Sequence, residues 1–81
     1  MTPTDDFQGP DPKILLELVR VKMPFGKYAG RLLCDIPVYY LEWLQREGFP
    51  KGRLGMQLAT CYEIKTNGLS HILVKLKGMY S

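Results

Sequence analysis

The chain of 81 residues lacks the sequence features of several protein classes. It has only 2 cysteines, Cys34 and Cys61, which are too few for a disulfide framework. No apolar run approaches the roughly 18 residues that cross a bilayer. Residues 1–12 contain neither the basic segment nor the apolar segment of a secretory signal. We therefore expect a cytoplasmic protein with reduced thiols and no membrane partner.

The sequence also has little that could support catalysis or metal binding. His71 is the only histidine, and no CxxC or HxxxH spacing is present. No histidine lies near Asp35 or Glu42 to complete an acid–base set. The glycines match neither a Walker A loop nor a GxGxxG fingerprint. We expect a protein that is not an enzyme, with no catalytic residues, no metal site and no cofactor.

Charge is distributed unevenly along the chain. Residues 1–11 contain three aspartates and no basic residue, so their net charge is −3. The remainder has 11 basic and 5 acidic side chains and a net charge of +6, which gives +3 for the whole chain. Basic domains tend to bind nucleic acid, acidic proteins or anionic surfaces, although the charge can also serve only solubility. We expect residues 1–10 to be a disordered acidic tail and residues 11–81 to form a single globular domain.

Helical patterns cover most of this domain. Asp11 and Pro12 are typical of a helix start, and this helix should end near Lys22 because Pro24 disfavours helical geometry at the preceding residue. A second helix should open at Pro37, after a cap at Asp35 or Ile36, and should stop at Gly48. A third helix is expected over residues 53–66.

Two segments do not read as long helices. "MPFGKYAGRLL" holds a proline and two glycines, which favours two short extended pieces, at residues 23–26 and 30–33, joined by a turn at 27–29. The C-terminal residues alternate like a strand, yet Ser70 could equally cap a short helix, which we prefer. The sequence thus predicts a small α+β domain with the order helix, short β-hairpin, helix, helix and short C-terminal element.

Basic residues cluster in two predicted loops. If these loops lie side by side, they form a basic surface with one aromatic ring, contributed by Lys27, Tyr28, Arg31, Lys51 and Arg53. Positive charge beside an accessible ring is the minimum that a binder of single-stranded DNA or RNA needs. The alternative is that Tyr28 packs into the core and the basic residues only keep the loops soluble.

Large apolar side chains favour a second hypothesis. The chain has many of them for a small core, including Tyr39, Trp43, Met56, Met79 and Tyr80. Some could form an exposed patch that docks a protein partner or another copy of the chain, although Trp43 is the one most expected in the core. A protein-interaction or homo-oligomeric regulatory module is therefore the alternative function.

Two strings carry a family resemblance: "MPFGKYAGRLLCDIPVYYLEWLQREGFPKGRLG" and then "YEIKTNGL". Across residues 13–76 the chain resembles a small family of bacterial proteins of unknown function, described as putative quorum-sensing-regulated virulence factors. The shorter pattern FGKYxG followed by IPxxYLxWL is also similar to the C-terminal domain of some exonuclease X-type nucleases. The resemblance implies a hairpin-plus-helix architecture and, by analogy, a non-enzymatic role as a nucleic-acid-binding or nuclease-accessory domain.

Overall fold

A computed structural model describes residues 11–80, apart from the side chain of Tyr80. These residues form four α-helices and one turn of 3-10 helix at Leu33–Asp35. The helices are α1 (Pro12–Leu18), α2 (Val38–Glu47), α3 (Arg53–Thr66) and α4 (Ser70–Tyr80). The acidic tail expected over residues 1–10 lies outside the described residues.

The predicted β-hairpin is wrong, and with it the α+β class. Residues 11–80 contain no strand, and the only extended pairing among them is an isolated antiparallel bridge between Lys22 and Leu32. Within residues 23–33, where the hairpin was predicted, two amides donate to carbonyls three residues earlier: Ala29 to Gly26 at 3.1 Å and Arg31 to Tyr28 at 3.0 Å. The Met23 amide does donate across the loop to the Arg31 carbonyl at 2.8 Å, but the Arg31 amide is engaged by Tyr28 and cannot return the bond, so the pairing does not extend into a ladder. The domain is helical.

Gly26 and Gly30 give this segment, which we call the glycine loop (residues 23–32), its shape. Their φ angles are +82° and +88°, a left-handed region that residues with a Cβ rarely adopt. The amide of Gly30 then donates to the carbonyl of Met23 at 2.8 Å and closes the loop. Met23 itself is buried and anchors the loop in the core.

The helix ends agree with the sequence to different degrees. The Asp11 side chain caps α1 by accepting from the amide of Lys13 at 2.8 Å, as predicted, but α1 stops at Leu18 rather than near Lys22. Pro37 occupies the N-cap position of α2 without a side-chain hydrogen bond, so the predicted cap at Asp35 or Ile36 is wrong. The predicted stop at Gly48, the bounds of α3 and the helical form of the C-terminal element are confirmed.

One hydrophobic core joins all of these elements. α3 is central: it packs against α1, α2 and the 3-10 turn. Side chains from every helix and from the glycine loop are buried there, namely Ile14, Leu18, Val19, Met23, Leu33, Cys34, Ile36, Leu41, Leu44, Leu58, Cys61, Ile64 and Leu73. Within the part of the chain described here, no helix combines the length and apolar character needed to span a membrane. α2 is packed on one side only, which leaves its other face to solvent.

Candidate nucleic-acid interface

The exposed face of α2 carries aromatic rings. Leu41 and Leu44 turn its inner face toward the core. The opposite stripe follows the helical spacing i, i+3, i+4, i+7 and consists of Tyr39, Glu42, Trp43 and Arg46. Tyr39 is 60% exposed and Trp43 is 45% exposed. A helix in contact with water normally presents polar side chains on this face, so two exposed rings one turn apart require an explanation.

This stripe forms one wall of a concave surface, which we call the aromatic groove. The groove has a volume of about 620 Å³. It is lined by Lys27, Tyr39, Tyr40, Glu42, Trp43 and Arg46. The glycine loop supplies Lys27, and α2 supplies the other five residues. Rings, cations and one carboxylate therefore converge on a single solvent-filled depression.

Contacts among the rings hold the groove in shape. The rings of Tyr28 and Tyr40 meet edge to face, with centroids 4.8 Å apart and an interplanar angle of 70°. Tyr40 also lies against Trp43, with centroids 5.6 Å apart. The hydroxyls of Tyr28 and Tyr39 share a hydrogen bond of 2.6 Å. Such aromatic contacts restrict the rings, so the exposed faces are positioned before any ligand arrives.

The Tyr28 hydroxyl stays neutral at physiological pH. Its hydrogen bond to Tyr39 raises the pKa of Tyr28 above the usual value of 10.0, and partial desolvation raises the pKa further. Tyr28 therefore adds no negative charge beside the groove that would repel a phosphate group.

Lys27 lies at the edge of the groove because the loop backbone places it there. Its Nζ is 5.7 Å from the centroid of the Tyr28 ring, within the range of a cation–π contact. The preceding Gly26 has no side chain to separate the loop from α2: a Cβ there would come within 3.0 Å of the Tyr40 hydroxyl. The glycine thus permits the close approach that brings a cation to the rings.

The five basic-surface residues predicted from sequence do not occupy one place. Lys27 and Tyr28 lie at the groove, where Tyr28 is half-buried against Tyr40. Arg31 is exposed in the same glycine loop. Lys51 is exposed in the connection between α2 and α3 and does not line the groove.

Arg53, the fifth predicted residue, is held by another part of the fold. It forms an ion pair with Glu17 of α1, with Nη2 at 2.6 Å from Oε2, and it does not line the groove. The pair raises the pKa of Arg53 and lowers that of Glu17, chiefly through their hydrogen bonds. Arg53 therefore links α1 to α3 in addition to contributing surface charge.

Tyr39, Trp43 and Arg46 line the groove but are not among the residues of the predicted nucleic-acid surface. A usable signal was present in the helical period: counted from the buried Leu41 and Leu44, the residues at 39, 42, 43 and 46 fall on the far side of α2. The prediction that Trp43 lies in the core is wrong, because its side chain is 45% exposed. The helical period of α2 places Trp43 correctly on the exposed face.

A second depression lies between the 3-10 turn, α3 and α4. It is smaller, at about 240 Å³, and its cations are already engaged within the protein. Lys65 donates to the Ile36 carbonyl at 2.7 Å, and Lys77 donates to both carboxylate oxygens of Asp35, at 2.8 and 2.9 Å. Burial raises the pKa of the Cys34 thiol at this site, which keeps the thiol protonated. These groups stabilise the fold and leave little to recognise a ligand.

The remaining chemically distinctive side chains do not form a site together. Cys34 and Cys61 are free, buried thiols, and burial raises the pKa of Cys61 to about 11. His71 is exposed on α4. Within residues 11–80, no three side chains of the metal-binding types come together.

Comparisons with known proteins confirm the resemblance to the small bacterial family. Residues 11–76 match the model of a family described as "Putative quorum-sensing-regulated virulence factor". The chain is 45% identical over 64 residues to "Uncharacterized protein YpeB" of Escherichia coli K12, a match that covers 78% of this chain and 89% of that protein. The protein of the same name from Escherichia coli O157:H7 matches equally well. No solved structure gives a significant match.

Proposed function

We propose, from the premise that this chain belongs to the family described as "Putative quorum-sensing-regulated virulence factor", that it binds single-stranded nucleic acid in the aromatic groove. In this proposal the chain is a non-enzymatic, cytoplasmic module, and the rings of α2 stack on unpaired bases. Lys27, Arg46 and Arg31 neutralise the phosphates on either side.

One observation carries the proposal: Tyr39 and Trp43 expose their rings beside two cations that line the same groove, Lys27 and Arg46. Unpaired bases present flat faces, and stacking a base on an aromatic side chain contributes about 1–3 kcal/mol whatever the base. Duplex DNA hides these faces within its own stack. A groove of exposed rings flanked by cations therefore suits a single strand better than a duplex.

The charges near the groove favour an anionic ligand. Side chains of Lys27 and Arg46 line it, and Arg31 lies in the adjoining loop. Lys51 and Arg53 do not line the groove, and Arg53 is paired with Glu17, so the proposal places the phosphate contacts on Lys27, Arg46 and Arg31. Each phosphate neutralised releases condensed counterions, so the affinity should fall as salt is added.

The similarity to the C-terminal domain of exonuclease X-type nucleases supports an accessory role. The residues of the shared pattern are Phe25, Gly26, Lys27, Tyr28, Gly30, Ile36, Pro37, Tyr40, Leu41, Trp43 and Leu44. Some of them bury the inner face of α2, but Lys27, Tyr40 and Trp43 line the groove and Tyr28 supports it. We infer that such a domain holds a single strand for a nuclease that acts elsewhere.

The only tryptophan of the chain provides the test. Trp43 fluorescence should be quenched when a mixed-sequence, single-stranded oligonucleotide is titrated at low salt, and the apparent affinity should decrease as salt is raised. The duplex of the same sequence is the matched control and should quench far less. Unchanged fluorescence, together with unchanged anisotropy of a labelled strand at low salt, would exclude the proposal.

A protein-interaction module remains the second candidate, and a specific observation favours it. Phe25 of the glycine loop is 48% exposed and Val38 of α2 is 42% exposed, in addition to Tyr39 and Trp43. Apolar side chains on these neighbouring segments could dock another protein or a second copy of the chain. Such an interface would persist at high salt, whereas phosphate binding would not.

A further inference from the structure

The aromatic groove contains one acidic side chain, and its position calls for an explanation. Glu42 lies on α2 between Tyr39 and Trp43 and lines the groove with them. Among residues 11–80 its carboxylate forms no hydrogen bond and no ion pair, although Arg46 is one helical turn away and Lys27 lines the same groove. A carboxylate at this position repels phosphate, so it weakens a site that serves only to hold a nucleic-acid backbone.

The same carboxylate suits the edge of a base. An ionised glutamate presents two acceptor oxygens and no donor. Guanine has two adjacent donors on its Watson–Crick edge, N1–H and the 2-amino group, and can satisfy both oxygens at once. Adenine and cytosine have one amino group next to an acceptor nitrogen, and thymine and uracil have one N–H between two carbonyl oxygens. Only guanine offers a pair of donors to the pair of acceptors.

We propose that Glu42 is a specificity-determining residue that makes the aromatic groove prefer guanine in a single strand. The inference rests on the proposed function. Because Glu42 and Trp43 line the same groove, a base stacked on the Trp43 ring shares that groove with the Glu42 carboxylate. Arg46 and Lys27 remain for the phosphates on each side of the base.

Short strands that differ in one base test the preference. The strands are d(TTGTT), d(TTATT), d(TTCTT), d(TTTTT) and a version with hypoxanthine at the centre, which keeps N1–H but lacks the 2-amino group. Affinities are measured by Trp43 fluorescence at low salt and repeated with the matching RNA strands. We expect the guanine strand to bind at least about fivefold more tightly than the thymine strand, as for a bidentate contact, with hypoxanthine in between.

The variant Glu42→Gln tests whether Glu42 causes the preference for guanine. The amide has nearly the same size, but it offers one acceptor oxygen and a donor, so it should reduce the guanine-to-thymine ratio to about one. Glu47→Gln is the matched control, because Glu47 is an exposed glutamate on the same helix that does not line the groove. It removes the same charge and should leave the ratio unchanged. A change in overall affinity alone, equal for all strands in both variants, would show that Glu42 acts only by charge and would overturn the inference.

The possible results distinguish a failure of guanine selection from a failure of the proposed binding of single strands. If no strand binds the natural protein, the proposed function fails. If all strands bind equally well, single-strand binding stands and guanine selection is wrong. Guanosine monophosphate serves as the remaining comparison: we expect it to compete only at concentrations far above those of d(TTGTT), because it lacks the flanking phosphates. If guanosine monophosphate competes as well as d(TTGTT), the ligand of the groove is a free nucleotide and the proposal of a single strand is wrong.

Discussion

Arg53 at the start of α3 and Glu17 of α1 form a two-pronged ion pair. The Arg53 Nε lies 3.0 Å from Oε1 of Glu17, and Nη2 lies 2.6 Å from Oε2. Gln57, one turn further along α3, donates a third hydrogen bond to Oε1 at 2.7 Å. The short first helix, which buries only Ile14 and Leu18, is thereby tied to the central helix of the core. Arg53, which was predicted from sequence to bind a ligand, therefore also has a structural role.

The first prediction concerns the pH dependence of this ion pair. The hydrogen bond from Arg53, followed by that from Gln57, lowers the pKa of Glu17 below its usual value of 4.5. A carboxyl group with a lowered pKa stabilises the fold above its unfolded pKa, and this contribution is lost as the pH falls through the folded pKa. Glu17→Gln should therefore lower the urea midpoint modestly at pH 7, as expected for an exposed pair, and the difference from the natural protein should shrink below pH 4.5.

Glu63→Gln is the control for this experiment. Glu63 is an exposed glutamate of α3 whose side chain forms no ion pair within residues 11–80. Its substitution should leave the urea midpoint unchanged at both pH values. A midpoint difference between Glu17→Gln and the natural protein that stays constant into acid would contradict the assigned role of the ion pair.

Local sequence signals predicted the helices well but failed at the glycine loop. α3 could be predicted because its helical period and the Asn67-Gly68 stop lie within one short stretch, whereas the C-terminal residues suited a strand as well as the helix α4 that they form. A hairpin and a series of turns, by contrast, both require glycines in the left-handed region. What distinguishes them here is the set of hydrogen bonds that the loop makes within itself and the packing of Tyr28 against Tyr40 of α2, neither of which a local pattern contains.

The second prediction separates the two functions of a glycine in this loop. Gly26→Ala and Gly30→Ala both force a Cβ into left-handed backbone, at a cost of about 1–2 kcal/mol each. Only at position 26 does the added carbon also meet a neighbour, the Tyr40 hydroxyl, at 3.0 Å. Gly26→Ala should therefore be the less stable variant in urea unfolding. It alone should change the emission of Trp43, which contacts Tyr40. Identical spectra for both variants would contradict the described packing.

The third prediction concerns the two thiols. Burial raises the pKa of Cys61 to about 11 and also raises the pKa of Cys34, so at pH 8 each thiol is less ionised in the folded protein than an exposed cysteine would be. Cys61 also donates to the Leu33 carbonyl at 3.5 Å. We expect both thiols to react with a disulfide reagent far more slowly in the folded protein than in guanidinium chloride. Rapid reaction of either thiol without denaturant would show that the core opens more readily than the structure indicates.

The candidate site was harder to predict than the fold for a physical reason. The basic surface predicted from sequence includes Lys27, which lines the groove, and Tyr28, which packs against Tyr40 beside it, because both lie within one short segment. Arg46 and Trp43 reach the same groove from α2, and Arg53 is drawn toward Glu17, 36 positions earlier in the chain. Which side chains face one ligand depends on how helices pack, and that information lies between segments rather than within them.

The fourth prediction tests the stacking platform. Trp43→Ala should weaken binding of a labelled single strand by about 1–3 kcal/mol, as measured by anisotropy, because the base loses its ring contact. Trp43→Phe should lose less, since a ring remains. The fold should tolerate both changes because Trp43 is 45% exposed. Met56→Ala is the control: Met56 is 54% exposed on α3, outside the groove, and its loss should leave affinity unchanged.

The fifth prediction concerns the cations of the glycine loop. Lys27→Glu combined with Arg31→Glu should abolish binding of a single strand while leaving the helical circular dichroism spectrum unchanged. Both residues are exposed, and neither side chain forms an ion pair within residues 11–80 that the fold would lose. The reversal places two negative charges where the proposed strand presents phosphates, so attraction becomes repulsion.

A second double variant separates local charge from net charge. Arg20→Glu combined with Lys75→Glu changes the net charge equally, at two exposed positions that do not line the groove. If binding depends on the groove, this variant should retain most of the affinity at moderate salt, because screening confines the effect of a charge to about 8–10 Å. Equal losses in both double variants would mean that overall charge alone attracts the strand. Full affinity after the Lys27 and Arg31 reversal would remove the glycine loop from the binding surface and contradict the assignment of phosphate contacts to Lys27 and Arg31.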